Sequence, residues 1–428
     1  MMRMRQRVVF LLVAVVLVIT AFQVGYFDKK WSLFQRETLQ DVTAELRKLG
    51  RPILKVTSTQ VVLDNDVDNE WLKITKSSET HSVEFEELIS QSSDPNLRFF
   101  AGKSLPPWLS RTDIMRMNIM SQNKVLGLKP IPFRDKITRV VYDIGVSYPE
   151  LNMSKINCDN QCAVAKTVND TYEIFAFHLD RVLGVNRSLP MIARNRFPKL
   201  TDNPNITIHD GKVRPIVWFE PGLLHGGKYQ GDQNSWDLSF DQYLRLLKAR
   251  CWDELFTNID PSICRVPYRL IEWTRMALFD FLLQNYDRLD RFCCGYHNVS
   301  EGERCFLEHY NTACDEDPDK LMLVHIFGTI LNIDRLVFID NAGNPGRNIE
   351  QLNYKLLAGI EMFPEHCIAI IRSGLLRRML KRSLYVDKIY WDSTGEQQID
   401  MLIETIEKRA VKLLEFIKKE NITTVPDY

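Results

Sequence analysis

The chain carries no surplus charge of either sign. Lys plus Arg and Asp plus Glu both number 55, so bulk charge implies no nucleic acid or other polyanion as partner. Glycine (19) and proline (18) stand at ordinary levels, which excludes a collagen-like or low-complexity chain. There is no internal repeat, which excludes a repeat array. Cysteine is missing from the first third: all nine (158, 162, 251, 264, 293, 294, 305, 314 and 367) come later. None falls in a paired CxxC, and no HxxxH occurs. Zinc at Cys158-x-x-x-Cys162 or Cys293-Cys294, with His297 and His309 near, is therefore disfavoured against disulfides formed in an oxidising lumen. An odd count leaves one thiol over. The eight histidines form no evident catalytic dyad, and His178, inside an amphipathic stretch, reads as structural. What is present is length and apolar content: 428 residues, 45% hydrophobic, enough for two or three folding units with a sizeable core.

The N-terminus indicates the compartment. After MMRMRQR the chain runs VVFLLVAVVLVITAF without a charge, and with residues 23–26 reaches the length of a membrane helix. A cleaved signal peptide is the rival, but the apolar run is long for one and no clear small-x-small site follows. Arg3, Arg5 and Arg7 favour a cytosolic N-terminus. The expected layout is a cytosolic tail (1–7), a single-pass type II signal anchor (8–26), a lumenal stem (27–105) and a lumenal body. Cleavage in the stem would release a secreted form. Six Asn-x-Ser/Thr sequons, at Asn152, Asn169, Asn186, Asn205, Asn298 and Asn421, agree with a lumenal glycoprotein.

In the stem, Gln35–Leu49 can form one amphipathic helix, a candidate for homodimer pairing. Lys76–Pro95 is serine-rich without a sustained period and reads as linker. The body begins near Pro106-Pro107-Trp108. Thr138–Val146 and Cys162–Lys166 read as strands. Glu173–Leu183 reads as a helix stopped by Gly184, and Tyr268–Asn285 as a longer one. Arg335–Ile339 is a buried-type strand ending in Asp340-Asn341-Ala342-Gly343, and the chain beyond Tyr354 is mostly helical. Strands early and helices late predict an α+β, two-lobed fold.

Four residues on these elements carry chemistry. Phosphoryl transfer needs a lysine, held by a helix glutamate, to neutralise nucleotide phosphates. It also needs one aspartate to orient or deprotonate the attacking hydroxyl and a second to hold the metal. Lys166, Glu173, Asp287 and Asp340 occur in that order. Each also has a plain reading. Lys166 could be an exposed strand end and Glu173 the partner of Asp170 in a capping box. Asp287-Arg288 could be a surface ion pair, and Asp340-Asn341-Ala342-Gly343 a turn of any protein.

The stretches EIFAFHLDRVLGVNRSLP (173–190), ALFDFLLQNYDRLDRFCCG (277–295) and LVFIDNAG (336–343) resemble the Golgi-associated kinase family. That family is related to the Four-jointed kinase and to the secretory-pathway kinases of casein-like proteins and proteoglycan xylose. The resemblance covers roughly residues 110–425. It implies an atypical protein-kinase-like fold, with an N-lobe over 106–220 and a mostly helical C-lobe over 221–428. It further implies Golgi residence, ATP with Mg²⁺ or Mn²⁺, and a secretory-pathway protein or glycan as acceptor. Lys166 and Glu173 would be the nucleotide-binding pair, Asp287 the catalytic base and Asp340 the metal ligand. Some family members carry Asn at the place of Asp287, which makes Asp290 the fallback base. No Gly-rich phosphate loop precedes Lys166, since 143–157 holds only Gly145. A glycan on Asn169 would crowd a nucleotide, so Asn152, Asn186, Asn205, Asn298 and Asn421 are the glycosylation candidates.

Two other functions compete. A pseudokinase would keep the fold and serve as a regulatory or scaffold protein of the secretory pathway. A glycosyltransferase shares the tail-anchor-stem layout, but its DxD letters fall at Asp64-Asn65-Asp66, Asp66-Val67-Asp68 and Asp315-Glu316-Asp317, not after a buried strand. Two further features are ambiguous. Arg372, Arg377, Arg378, Lys381 and Arg382 along a predicted helix Cys367–Leu384 are either a solvated face or a dock for an acidic ligand. Trp218-Phe219-Glu220-Pro221 is either an adenine-stacking linker between lobes or a core strand end.

Overall fold

A computed structural model describes residues 105–426, except 132–133, 143–161, 199–209, 221–222, 225–235, 254–259, 296–313, 315–316, 318–319 and 330–331. All lie in one compact unit, Ser90–Tyr428. The expected anchor, the expected stem up to residue 104, the sequons at Asn152, Asn205 and Asn298, and residues 143–157, where no Gly-rich loop is evident, fall outside the described residues. Among the described residues no helix is long and apolar enough to cross a membrane.

The order opens with helix α1 (Arg111–Gln122), then strands β1 (Val125–Ile131), β2 (Arg134–Tyr142) and β3 (Cys162–Ala165). Helix α2 (Tyr172–Val182), β4 (Met191–Arg194), β5 (Arg214–Trp218) and the short β6 (Leu223–Leu224) follow. Next come α3 (Phe240–Lys248), α4 (Leu270–Leu283), α5 (Tyr286–Leu289), β7 (Phe327–Thr329) and β8 (Asn332–Val337). The chain closes with β9 (Met362–Pro364), α6 (Glu365–Arg372), α7 (Leu376–Leu384), α8 (Lys388–Thr394), α9 (Glu396–Lys419) and β10 (Thr423–Val425).

Five strands form an antiparallel sheet in the order β1-β2-β3-β5-β4. A three-stranded antiparallel sheet β6-β7-β8 and a parallel pair β9-β10 complete the strands. Strand-rich sequence early and helix-rich sequence late thus yield the mixed architecture that the periodicity predicts. The strand expected at Thr138–Val146 begins earlier, at Arg134.

Helix α2 is buried at all eleven positions and packs against α7 and β4. A helix with no solvated face must pair every charge it carries, and α2 carries Glu173, Asp180 and Arg181. Helix α4 is nearly as enclosed, with Trp273, Leu278, Phe281 and Leu282 at zero exposure. Each such side chain contributes about 1.5–3 kcal/mol of burial. The single helix expected over Cys367–Leu384 is two, α6 and α7. Gly374 adopts a left-handed φ of +71° and Ser373 Oγ accepts from Leu375 N, which ends one helix and starts the next. Disulfides join Cys251 to Cys264 and Cys294 to Cys314; Cys162 and Cys293 are also disulfide-bonded. Cys367 is a buried thiol.

Candidate functional site: a lysine between two carboxylates

The β3–α2 connection places the first two site residues. Lys166 continues β3 by one residue, its N–H donating to Pro215 O at 3.0 Å. A 3-10 turn, Val168–Asp170, then leads into α2. Asp170 Oδ2 accepts from Thr167 N at 3.0 Å and Thr167 Oγ1 at 2.8 Å, so Asp170 is itself the acidic member of a capping box. Glu173 is thereby left out of any cap. From the first turn of α2 its carboxylate hydrogen-bonds Lys166 Nζ, seven residues back. The capping-box reading of Glu173 and the exposed-end reading of Lys166 both give way: Glu173 is 2% exposed and Lys166 is buried.

Strand β8 brings the third residue from far along the chain. Past its end, Phe338 N donates to Arg187 O at 2.9 Å, and the backbone turns at Asp340 with φ +53°. Asn341 points inward, its Nδ2 donating to Ser188 Oγ at 3.3 Å and Phe338 O at 3.2 Å. Gly343, at φ +57°, lies so close to α4 that a Cβ would stand 2.5 Å from Leu283 O. Asp340 is left pointing to the sheet side. Its Oδ1 accepts from Lys166 Nζ across 174 residues of sequence. Its side chain is 40% exposed, so one face remains open to a ligand.

Asp287 is the second residue of the short α5, just after α4. Its neighbour Arg288 is no surface partner: it has zero exposure and donates to both oxygens of Asp280, to Ile339 O at 2.7 Å and to Asn341 Oδ1 at 2.8 Å. Arg288 thus ties the end of α4 to the turn that carries Asp340. His325, buried and also at positive φ (+58°), lies between the two aspartates. Its Nε2 is 3.0 Å from Asp287 Oδ2, and its Nδ1 is 3.5 Å from Asp340 Oδ2. The sequence does not single out His325, and it offers Arg288 only as a surface partner of Asp287. His325 meets Asp287 across 38 residues, and Arg288 joins Asp280, eight residues back, to Asn341, 53 residues on, and no periodicity connects such positions.

The electrostatics follow from one ammonium serving two carboxylates. Burial pulls the Lys166 ammonium down, but Glu173 and Asp340 together leave it well above the usual lysine value. Burial pushes the Glu173 carboxyl up, with Lys166 opposing. Burial also pushes Asp340 up, yet Lys166 more than offsets this and holds it below the usual carboxylate range. Glu173, Lys166 and Asp340 sum to one negative charge. Such a group favours an added cation beside Asp340.

Asp290, the fallback base, is 2% exposed and fully engaged. Its oxygens accept from Cys294 N, Gly295 N, Asn353 Nδ2 and Lys355 Nζ at 2.8–3.0 Å. A carboxylate so committed anchors the Cys293-Cys294 segment and has no lone pair directed at a substrate. The FHLDR stretch is likewise a structural clamp. Arg181 makes paired hydrogen bonds to Asp113 at 2.9 and 3.0 Å, Asp180 Oδ1 accepts from Arg187 N and Ser188 N, and His178 Nδ1 meets Ser383 Oγ at 2.9 Å. Trp218 is a core strand end, 1% exposed. In the basic helix α7, Arg377 pairs with Asp400 and Glu407, and Lys381 with Glu396 and Asp400. Neighbouring acids therefore neutralise much of that face. Asn169, Asn186 and Asn421 are all exposed.

The site thus joins a lysine–glutamate pair to a strand-end aspartate, with a further aspartate one histidine away. The chain belongs to the FAM198 protein family, whose model matches residues 95–428, and the resemblance carried by the three sequence stretches is borne out. Among solved structures the chain is similar to a hydra Fam20 with sugar, at 13% identity and TM-score 0.43, over 77% of this chain and 98% of that one. It is similar to the Golgi casein kinase at 11% identity and TM-score 0.40, covering 87% and 95%. A structure of the Golgi casein kinase with Mn/ADP bound is similar at 12% identity and TM-score 0.41, covering 87% and 94%.

Proposed function

We propose that the chain is an ATP-dependent phosphotransferase of the Golgi lumen, anchored by residues 8–26, that phosphorylates a hydroxyl of a secretory-pathway protein or glycan. The observation that carries this reading is the convergence of Glu173 and Asp340 on Lys166 Nζ. Lys166 has three N–H donors, so Glu173 can hold it while it contacts nucleotide phosphate oxygens. Asp287, 23% exposed and paired with His325, would accept the proton of the attacking hydroxyl.

Asp340 suits a hard divalent cation. Mg²⁺ and Mn²⁺ take oxygen ligands, and Mg²⁺ in nucleotide sites is held by one or two carboxylates plus substrate phosphates, not by an all-protein cage. That agrees with Asp340, whose side chain is 40% exposed. When bound, the ion would supply charge neutralisation to the phosphates.

The test is a thermal-shift titration of the full chain in detergent with Mn²⁺–ATP, beside Asp340→Ala. Binding at 100 times the dissociation constant should stabilise by about 2.7 kcal/mol, and the shift should need both metal and Asp340. A flat response from a cooperatively unfolding protein would overturn the nucleotide site. A normal shift with no phosphate transfer to any acceptor would select the alternative, a pseudokinase with a regulatory or scaffold role.

A further inference from the structure

Away from Lys166, a second polar cavity opens between the loop after α2, the first turn of α4 and strand β8. Its volume is about 300 Å³, and Arg187, Arg269, Arg275, Arg335, Glu272 and Asp334 line it. Among the described lining residues, four guanidiniums stand against two carboxylates. The pairing is uneven. Both oxygens of buried Glu272 are taken by Arg187, with Arg275 NH1 at 2.7 Å and Leu336 N at 3.1 Å adding to them. Asp334 is taken by Arg269. Arg335, half-buried on the same wall, has no carboxylate within salt-bridge distance and no side-chain hydrogen bond among the described residues. A cation enclosed with other cations is an unbalanced arrangement, and planar guanidiniums match the oxygens of tetrahedral oxyanions. Burial, and then the neighbouring Arg187, depress the Arg335 guanidinium below its usual value, with Glu272 and Asp334 opposing and Arg275 adding to the depression, so a bound anion would favour its charged form.

We infer that this cavity is an oxyanion-binding site, taking the phosphate or sulfate group of an ester, with Arg335 as its principal contact. It is separate from the nucleotide site. Arg335 lies within β8, whereas Asp340 comes three residues past the end of that strand and does not line the cavity. The cavity nevertheless touches both elements of that site: Gly184 and Asn186 follow the helix that bears Glu173, and β8 leads into Asp340. A bound oxyanion would brace the two against each other.

The experiment is equilibrium binding of radiolabelled inorganic phosphate to the full chain in detergent, at constant ionic strength set with chloride. Binding should be saturable, should weaken at least tenfold in Arg335→Gln, should be partly kept in Arg335→Lys, and should be unchanged in Asp340→Ala. A change of binding in either direction in Asp340→Ala, with retention in Arg335→Gln, would mean phosphate sits at the nucleotide site beside Lys166, and would overturn the proposal. So would no saturable binding. Competition by a phosphoserine peptide or by a sulfated disaccharide then identifies the natural source; either one supports the shared chemistry. Folding is checked in phosphate-free buffer, where Arg335→Gln should melt no lower than the parent. A lower melt would make Arg335 a structural cation and overturn the assignment.

Discussion

Replacing Arg288 by methionine should be among the most damaging single changes in the body. Arg288 has zero exposure, as does Asp280, to which it donates from Nε and NH2. Methionine fills much of the same volume but leaves the Asp280 carboxylate with only Asn285 Nδ2 at 3.4 Å. It also leaves Ile339 O and Asn341 Oδ1 without their guanidinium donor. Breaking a buried pair from one side costs about 3–5 kcal/mol, because the remaining charge is uncompensated. Replacing both partners removes that charge, so Asp280→Leu with Arg288→Met should cost about 1–3 kcal/mol, the share of the orphaned acceptors. Urea unfolding followed by the fluorescence of buried Trp218 and Trp273 reads both variants. Burial already pushes the Asp280 carboxyl up. Without Arg288 it would take a proton more readily still, so the penalty should shrink as pH falls. A single variant costing under about 1 kcal/mol, or a double variant costing more than the single, would refute the reasoning.

Two further outcomes follow from the site and its surroundings. His325→Ala should leave the Mn²⁺–ATP thermal shift in place but lower turnover about 10–100-fold, as loss of an orienting partner typically does; steady-state kinetics on an identified acceptor would check it, and unchanged turnover would remove His325 from the site. Asp387, fully buried and accepting from Ala193 N and Tyr390 N, is pushed up to about 7 by burial. A carboxyl raised above its unfolded value contributes stability that is present below pH 3.8 and lost as pH rises through about 7. Melting temperatures of the parent should therefore carry a falling component between pH 5 and 7.5 that Asp387→Asn lacks; identical slopes would contradict it.

Much of this protein is readable from local pattern. The β3–α2 unit shows as an apolar run, a polar turn and an apolar helix stopped by Gly184, because each feature is set within a few residues. The pairing of Lys166 with Glu173 is nearly local too, across one turn. What patterning misjudges is the role of charges whose partners are distant. Arg288 beside Asp287 looks like half of a surface pair; burial shows it as the bolt between α4 and the Asp340 turn. Asp290 looks interchangeable with Asp287, yet four donors occupy its oxygens. His325 carries no signal in its surroundings, since its value lies in standing between Asp287 and Asp340. The cluster on α7 reads as basic only until the acids of α9 are packed against it.

The division has a physical cause. Hydrophobic period, capping and turn chemistry act over one to ten residues, so the sequence alone determined the strand-then-helix order and the family to which the chain belongs. Charge is different, because an ionised group buried without a partner costs several kcal/mol. Which partner it takes is decided only when distant segments close over it. Tertiary structure therefore decided that Asp340 reaches Lys166, that His325 joins the two aspartates, and that Arg335 is left facing three other arginines.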